Sequence, residues 1–146
     1  MGRIADVLRE KGTTVQTTTP SASVYEAIEK MVAHNFGSLV VMDGSALCGM
    51  FTERDYLRRV VLEGRTSRTT SVAEIMSTEI AYVAPEHGVE EALAVMTAER
   101  CRHLPVLRDG DLVGLVSIGD LVKHLIRDQE AEILHLNDYI CGKYPR

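Results

Sequence analysis

Two short strings in this 146-residue chain carry the residue types that could do chemistry. They are Gly49-Met50-Phe51-Thr52-Glu53-Arg54-Asp55 and Gly114-Leu115-Val116-Ser117-Ile118-Gly119-Asp120. Both read as a glycine, two apolar residues, a hydroxyl, two variable positions and an aspartate. The hydroxyl falls where an apolar strand gives way to a helix, and the carboxylate lies one turn into that helix. Free amides at a helix start, with a hydroxyl beside them, suit a phosphate, and an aspartate accepts hydrogen bonds from two vicinal sugar hydroxyls. The glycine lets another backbone or a ligand come close. Without a ligand, Thr52 and Ser117 read as helix N-caps and the two acids as complements to the helix dipole. Repetition of the whole pattern weights the balance toward ligand binding.

The elements that must position these strings repeat as well. Pro20 and Pro85 stand 65 positions apart, and the same offset sets Val24 on Val89, Glu26 on Glu91, Ala27 on Ala92 and Met31 on Met96. It continues without a gap through Leu39 and Leu104, Gly49 and Gly114, to Asp55 and Asp120. Upstream the offset becomes 68, placing Ile4 to Leu8 on Val72 to Met76, so copy one carries extra residues around Lys11-Gly12-Thr13. Internal repetition of this kind marks a duplicated unit. Each copy opens with a β-rich stretch before a proline, 14–18 and 80–83. A helix follows, with Ser23 and Glu26 as a capping box and an apolar stripe of Val24, Ala27, Ile28, Met31 and Val32, which Val89, Ala92, Leu93 and Met96 repeat. Two hairpins come next, 39–42 with 47–51 and 104–107 with 112–116, and a final helix starts near Glu53 and near Ile118. The reading is an α/β (α+β) fold of two β-α-β-β-α units, related by a pseudo-twofold axis and sharing a cleft.

The paired motif in this repeat order resembles the tandem CBS-domain family, named after cystathionine β-synthase, over about Ile4 to Ile126. The resemblance implies a Bateman-type module with domains at 4–64 and 72–126 and a helical extension at 127–146. It also implies a non-catalytic regulator with no catalytic cofactor, which binds AMP, ADP, ATP, S-adenosylmethionine or NAD between its halves and acts on an unidentified protein. Carried over by position, Asp55 and Asp120 accept from the ribose, and Thr52 and Ser117 lie near the phosphate. The family's sites are composite, which implies that Met76, Thr78, Ala81 and Arg102 complete the Asp55 site. Gln16, Phe36, Gly37 and His103 complete the Asp120 site. The copies differ around these positions. Arg54 precedes one aspartate where Gly119 precedes the other, and Arg102 and His103 replace Gly37 and Ser38. A cation at Arg54 leads to the expectation that the Asp55 site holds a phosphate more tightly. The alternatives are a solvated helix residue for Arg54 and a strand-end histidine for His103.

Other classes fit less well. A formal net charge of −5 repels a nucleic-acid backbone. Cys48, Cys101 and Cys141 are an odd, scattered set without metal spacing, which suits a reducing cytoplasm. No apolar run approaches the roughly 18 to 20 residues a membrane span needs. The five histidines show no metal motif; the alternatives are a protein-interaction or dimerisation module with empty clefts and, behind it, a nucleotide-processing enzyme, with Cys101 beside Arg102 and His103 as a candidate reactive thiol. Val122, Ile126, Gln129, Ile133, Leu136 and Ile140 fall at alternating spacings of four and three, a seam that predicts a homodimer through the last helix. The alternative is a helix folded back on its own domain.

Overall fold

A computed structural model of the chain describes residues 2–127. The order is α1 (Ile4–Lys11), β1 (Thr17–Thr18), α2 (Val24–His34), β2 (Ser38–Asp43), β3 (Ala46–Thr52), α3 (Glu53–Tyr56, continued as a π-helix over Leu57–Val61), α4 (Val72–Ile75), α5 (Val89–Glu99), β4 (His103–Arg108), β5 (Asp111–Ser117) and α6 (Ile118–Ile126). Each copy thus gains a leading helix, α1 or α4, ahead of the expected β-α-β-β-α order. An acidic residue at the third position makes each start: the Asp6 carboxylate accepts the Arg3 amide at 2.9 Å, and Glu74 accepts the Ser71 amide at 2.7 Å. At α2 only half of the expected box forms, the Ser23 hydroxyl accepting the Glu26 amide at 3.1 Å. α2 and α5 end at equivalent left-handed residues, Asn35 and Arg100.

The hairpins repeat down to their irregularities. β2 pairs antiparallel with β3, and β4 with β5, each with a bulge one residue after the partner of the motif glycine, at Val41/Met42 and Val106/Leu107. The first strands fall short of the expectation. β1 is reduced to Thr17–Thr18, parallel to β2, and 80–83 yields only a parallel bridge from Val83 to Val106. That bridge keeps the register of Thr18 on Val41, so the strand is trimmed without being shifted.

The cores cross between copies. Ile4, Val7 and Leu8 of α1 are buried with Val89, Leu104, Val116 and Leu121 of copy two, and Val72 and Ile75 of α4 with Val24, Leu39, Phe51 and Val60 of copy one. Equivalent backbone bonds hold both leaders: the Ile4 and Ala5 amides donate to His87 and Pro85 carbonyls, as Val72 and Ala73 donate to Ala22 and Pro20. These bonds satisfy helix-start donors that would otherwise lack partners. Each core therefore draws on both sequence ranges, 4–64 and 72–126. The expected continuation of α6, with Gln129, Ile133, Leu136 and Ile140 on its seam, and Cys141 lie outside the described residues.

The leading segments press on the motif glycines. A Cβ on Gly49 would stand 2.5 Å from the Ser77 carbonyl oxygen, and one on Gly114 would stand 2.6 Å from the Leu8 Cδ2. Gly49→Ala meets backbone and is expected to destabilise by about 1–3 kcal/mol in urea unfolding. Gly114→Ala meets the end of a flexible side chain and should cost less. Its penalty should shrink when Leu8→Ala is combined with it, and strict additivity of the two would contradict this contact.

Candidate functional site

The two motifs form the same local structure. Thr52 and Ser117 leave their strands in extended conformation and cap α3 and α6, their hydroxyls accepting the Asp55 amide at 3.2 Å and the Asp120 amide at 3.1 Å. In return the Asp55 Oδ2 accepts the Thr52 amide at 2.9 Å, and the Asp120 Oδ2 accepts the Ser117 amide at 2.8 Å. Both N-cap readings are realised, and both carboxylates are half-buried.

Each carboxylate also receives a donor from the other copy's leading segment. The Ser77 hydroxyl, two residues past α4, donates to the Asp55 Oδ1 at 3.0 Å. The Lys11 ammonium, at the end of α1, donates to the Asp120 Oδ2 at 2.6 Å and to the Leu115 carbonyl at 2.8 Å. Both crossing donors are residues that the sequence left unmarked. Ser77 and Lys11 fall where the offset changes, so no repeated letter flags them. Glu53, in a variable motif position, belongs to the same neighbourhood and was also missed.

The other expected contributors divide. Met76 lies against Gly49, and its carbonyl accepts from Arg59 of α3, so it reaches copy one. Ala81 packs on the copy-two core, and Thr78 is exposed. The Gln16 carbonyl accepts the Val40 amide within the copy-one sheet. The Gly37 carbonyl accepts the Glu53 amide at 3.1 Å, and the Arg102 carbonyl accepts the Ile118 amide at 2.9 Å. Gly37 and Arg102 are therefore anchored by backbone to the helix of their own copy. Ser38 is buried and paired with Thr52, as His103 pairs with Ser117. Phe36 is exposed and stacks on His34. With Ile28, Met31, Val32, Glu53 and Tyr56 it lines a cavity of about 280 Å³ between α2 and α3, which neither Asp55 nor Asp120 lines. Arg54 is exposed on the first turn of α3.

Charge accumulates around Asp120. Burial is the largest influence on its carboxyl and raises its pKa, but the donors from Lys11 and Ser117 and the Lys11 charge outweigh burial and hold it below the usual carboxylate value. His103 is pushed below the usual histidine value by burial first and by Lys11 next; Arg102 adds to this, while Asp120 and Glu53 oppose it. Burial, then Glu99, pushes the Cys101 thiol up, the reverse of what a reactive thiolate needs.

The His103 environment sets a pH dependence. The unfolded histidine takes up a proton near its ordinary value of 6.5, and the folded one resists it. This contribution to stability is complete above that pH and is lost as pH falls through the lowered folded value. In denaturant melts from about pH 7.5 to pH 5, His103→Gln should therefore lose less stability than the parent chain. Equal slopes would refute this account.

A family model for the CBS domain matches the chain twice, over residues 4–62 and 72–127. The chain is 41% identical over 150 residues to the CBS domain-containing protein CBSX3, mitochondrial, of Arabidopsis thaliana, covering 97% of this chain and 73% of that one. A solved structure of a CBS-domain protein from Burkholderia ambifaria superposes with a TM-score of 0.85 at 47% identity, covering 88% of this chain and 96% of that one. A hexameric CBS-CP12 protein from bloom-forming cyanobacteria superposes with a TM-score of 0.74 at 25% identity, covering 99% and 86%. With its repeated capping motif, its crossed leading helices and a family match in each half, this chain belongs to the CBS-domain family as a tandem pair.

Proposed function

We propose that this CBS pair is a non-catalytic sensor that binds an adenine nucleotide, AMP, ADP, ATP or NAD, between its halves and passes the event to a regulated protein. The observation that carries this reading is the matched placement of Asp55 and Asp120. Each is a half-buried carboxylate at a helix start, touched by a donor from the opposite copy. A sugar diol that takes up either carboxylate must contact both halves, so binding biases how the halves sit. Free Cys48 and Cys101 agree with a reducing, cytoplasmic setting, and no helix among the described residues is long and apolar enough to cross a membrane.

Self-association belongs to the same reading. Leu57 and Val122 stand at equivalent places on α3 and α6, and they are 55% and 44% exposed. Val32 and Phe36 of copy one are also exposed, at 75% and 47%. Isolated exposed apolar residues are ordinary, but a face repeated in both copies fits a homodimer packed through these helices.

Thermal unfolding with AMP, ATP and NAD tests the ligand. A ligand at 100 times its Kd should add about 2.7 kcal/mol of stability, and Asp55→Asn or Asp120→Asn should remove much of that gain. No protection by any adenine compound would favour an interaction module with empty clefts. Light scattering tests the assembly: the parent chain should run as a dimer, and Leu57→Glu with Val122→Glu should yield monomer.

A further inference from the structure

The two aspartates are held differently, and the difference is one of charge. Asp55 is met by the neutral Ser77 hydroxyl, while the Ser77 backbone exchanges hydrogen bonds with Met50 at 2.9 Å each way. In the second half one cation makes both kinds of contact. The Lys11 ammonium donates to Asp120 and to the carbonyl of Leu115, the counterpart of Met50. Nearby, Arg102 and His103 replace Gly37 and Ser38, and Ile118 takes the place that Glu53 holds before Asp55. The charges of Lys11, Asp120, Arg102 and Glu53 all act on His103, which places them in one neighbourhood. A cation therefore meets Asp120 where a neutral hydroxyl meets Asp55.

We propose that Lys11 makes the Asp120 site select phosphorylated nucleosides over neutral ones, an inference that rests on the nucleotide-binding reading above. A ribose diol that engages Asp120 competes with Lys11 for the same carboxylate. The two side chains are 32% and 25% exposed, so the pair is partly shielded from water, and a ligand that parts it separates two opposite charges. A nucleotide supplies a replacement anion, and the released ammonium moves from carboxylate to phosphate with Arg102 close by. A nucleoside supplies none and leaves Lys11 unpaired. At Asp55 the exchange is neutral, one hydroxyl for another, and that site distinguishes the two ligands less.

Calorimetric titration of AMP and adenosine into the full chain carrying Asp55→Asn isolates the Asp120 site. AMP should bind at least tenfold more tightly than adenosine. Adding Lys11→Met should bring the ratio near one, by weakening AMP and by freeing Asp120 for adenosine, and Lys11→Arg should keep most of the preference. A second measurement needs no Lys11 variant: added sodium chloride should weaken AMP and leave adenosine nearly unchanged. An AMP preference that survives Lys11→Met, or an equal loss of both ligands, overturns the role of Lys11 and leaves the nucleotide reading standing. Failure of AMP, ADP, ATP, NAD and adenosine alike to bind even the parent chain overturns both.

Discussion

The exchange of leading helices is the constraint from which the rest of the molecule follows. A half with a small sheet and two helices leaves one side of its last strand open at the motif glycine. In each half that opening is filled from the other: α4 and Ser77 lie over β3, and α1 with Leu8 lies over β5. Units of this size cannot bury enough apolar surface alone, and the exchange solves this for both at once. It also brings the last residue of α1, Lys11, and Ser77 just past α4 to the helix starts that carry the aspartates. The shared sites are a geometric consequence of how the cores are completed.

Cap and site use the same carboxylates without using the same lone pairs. In each motif the Oδ2 accepts the cap amide, and a carboxylate oxygen has capacity for more than one donor. A ligand that takes up Asp55 or Asp120 therefore need not unwind the helix. The nearest group on each acid from outside its own motif is the donor that crosses from the other half, Ser77 or Lys11. The cap keeps the acid oriented while the crossing donor reports the relation of the halves.

The parts of the fold that depend on spacing were legible in the sequence: the repeat, the apolar stripe of α2, both hairpins and the helix starts at Thr52 and Ser117. The parts that depend on partners were not. Nothing local in Ile4 to Leu8 says that these residues pack on copy two, because α1 has the same pattern whichever core it completes. The strand expected at 80–83 keeps only the Val83 pairing, since β propensity does not decide how much of an edge finds a partner. The crossing donors were hidden for a different reason. Ser77 reaches its aspartate with backbone pairing and a short hydroxyl, whereas Lys11 reaches with a long side chain from a segment carrying extra residues. The contact is conserved between halves while the residue type and the offset are not, and a letter-by-letter repeat cannot show that.

Position along the helices links the carboxylates to the outer surface. Asp55 and Leu57 are two residues apart on α3, as Asp120 and Val122 are on α6, a rise of about 3 Å. The acid faces the opposite copy, and the apolar residue faces outward. α3 adds a π-helical stretch from Leu57 to Val61, which keeps Val60 buried while Leu57 and Val61 stay exposed; α6 is regular through Ile126. Extra width in a helix of this kind shifts side chains relative to an α-helical register. The two outer faces are thus equivalent at Leu57 and Val122 but diverge beyond them, just as the two inner sites share an aspartate and diverge in the donor that meets it. Duplication supplied the frame, and the differences between copies lie at the surfaces where a ligand or a second molecule would meet it.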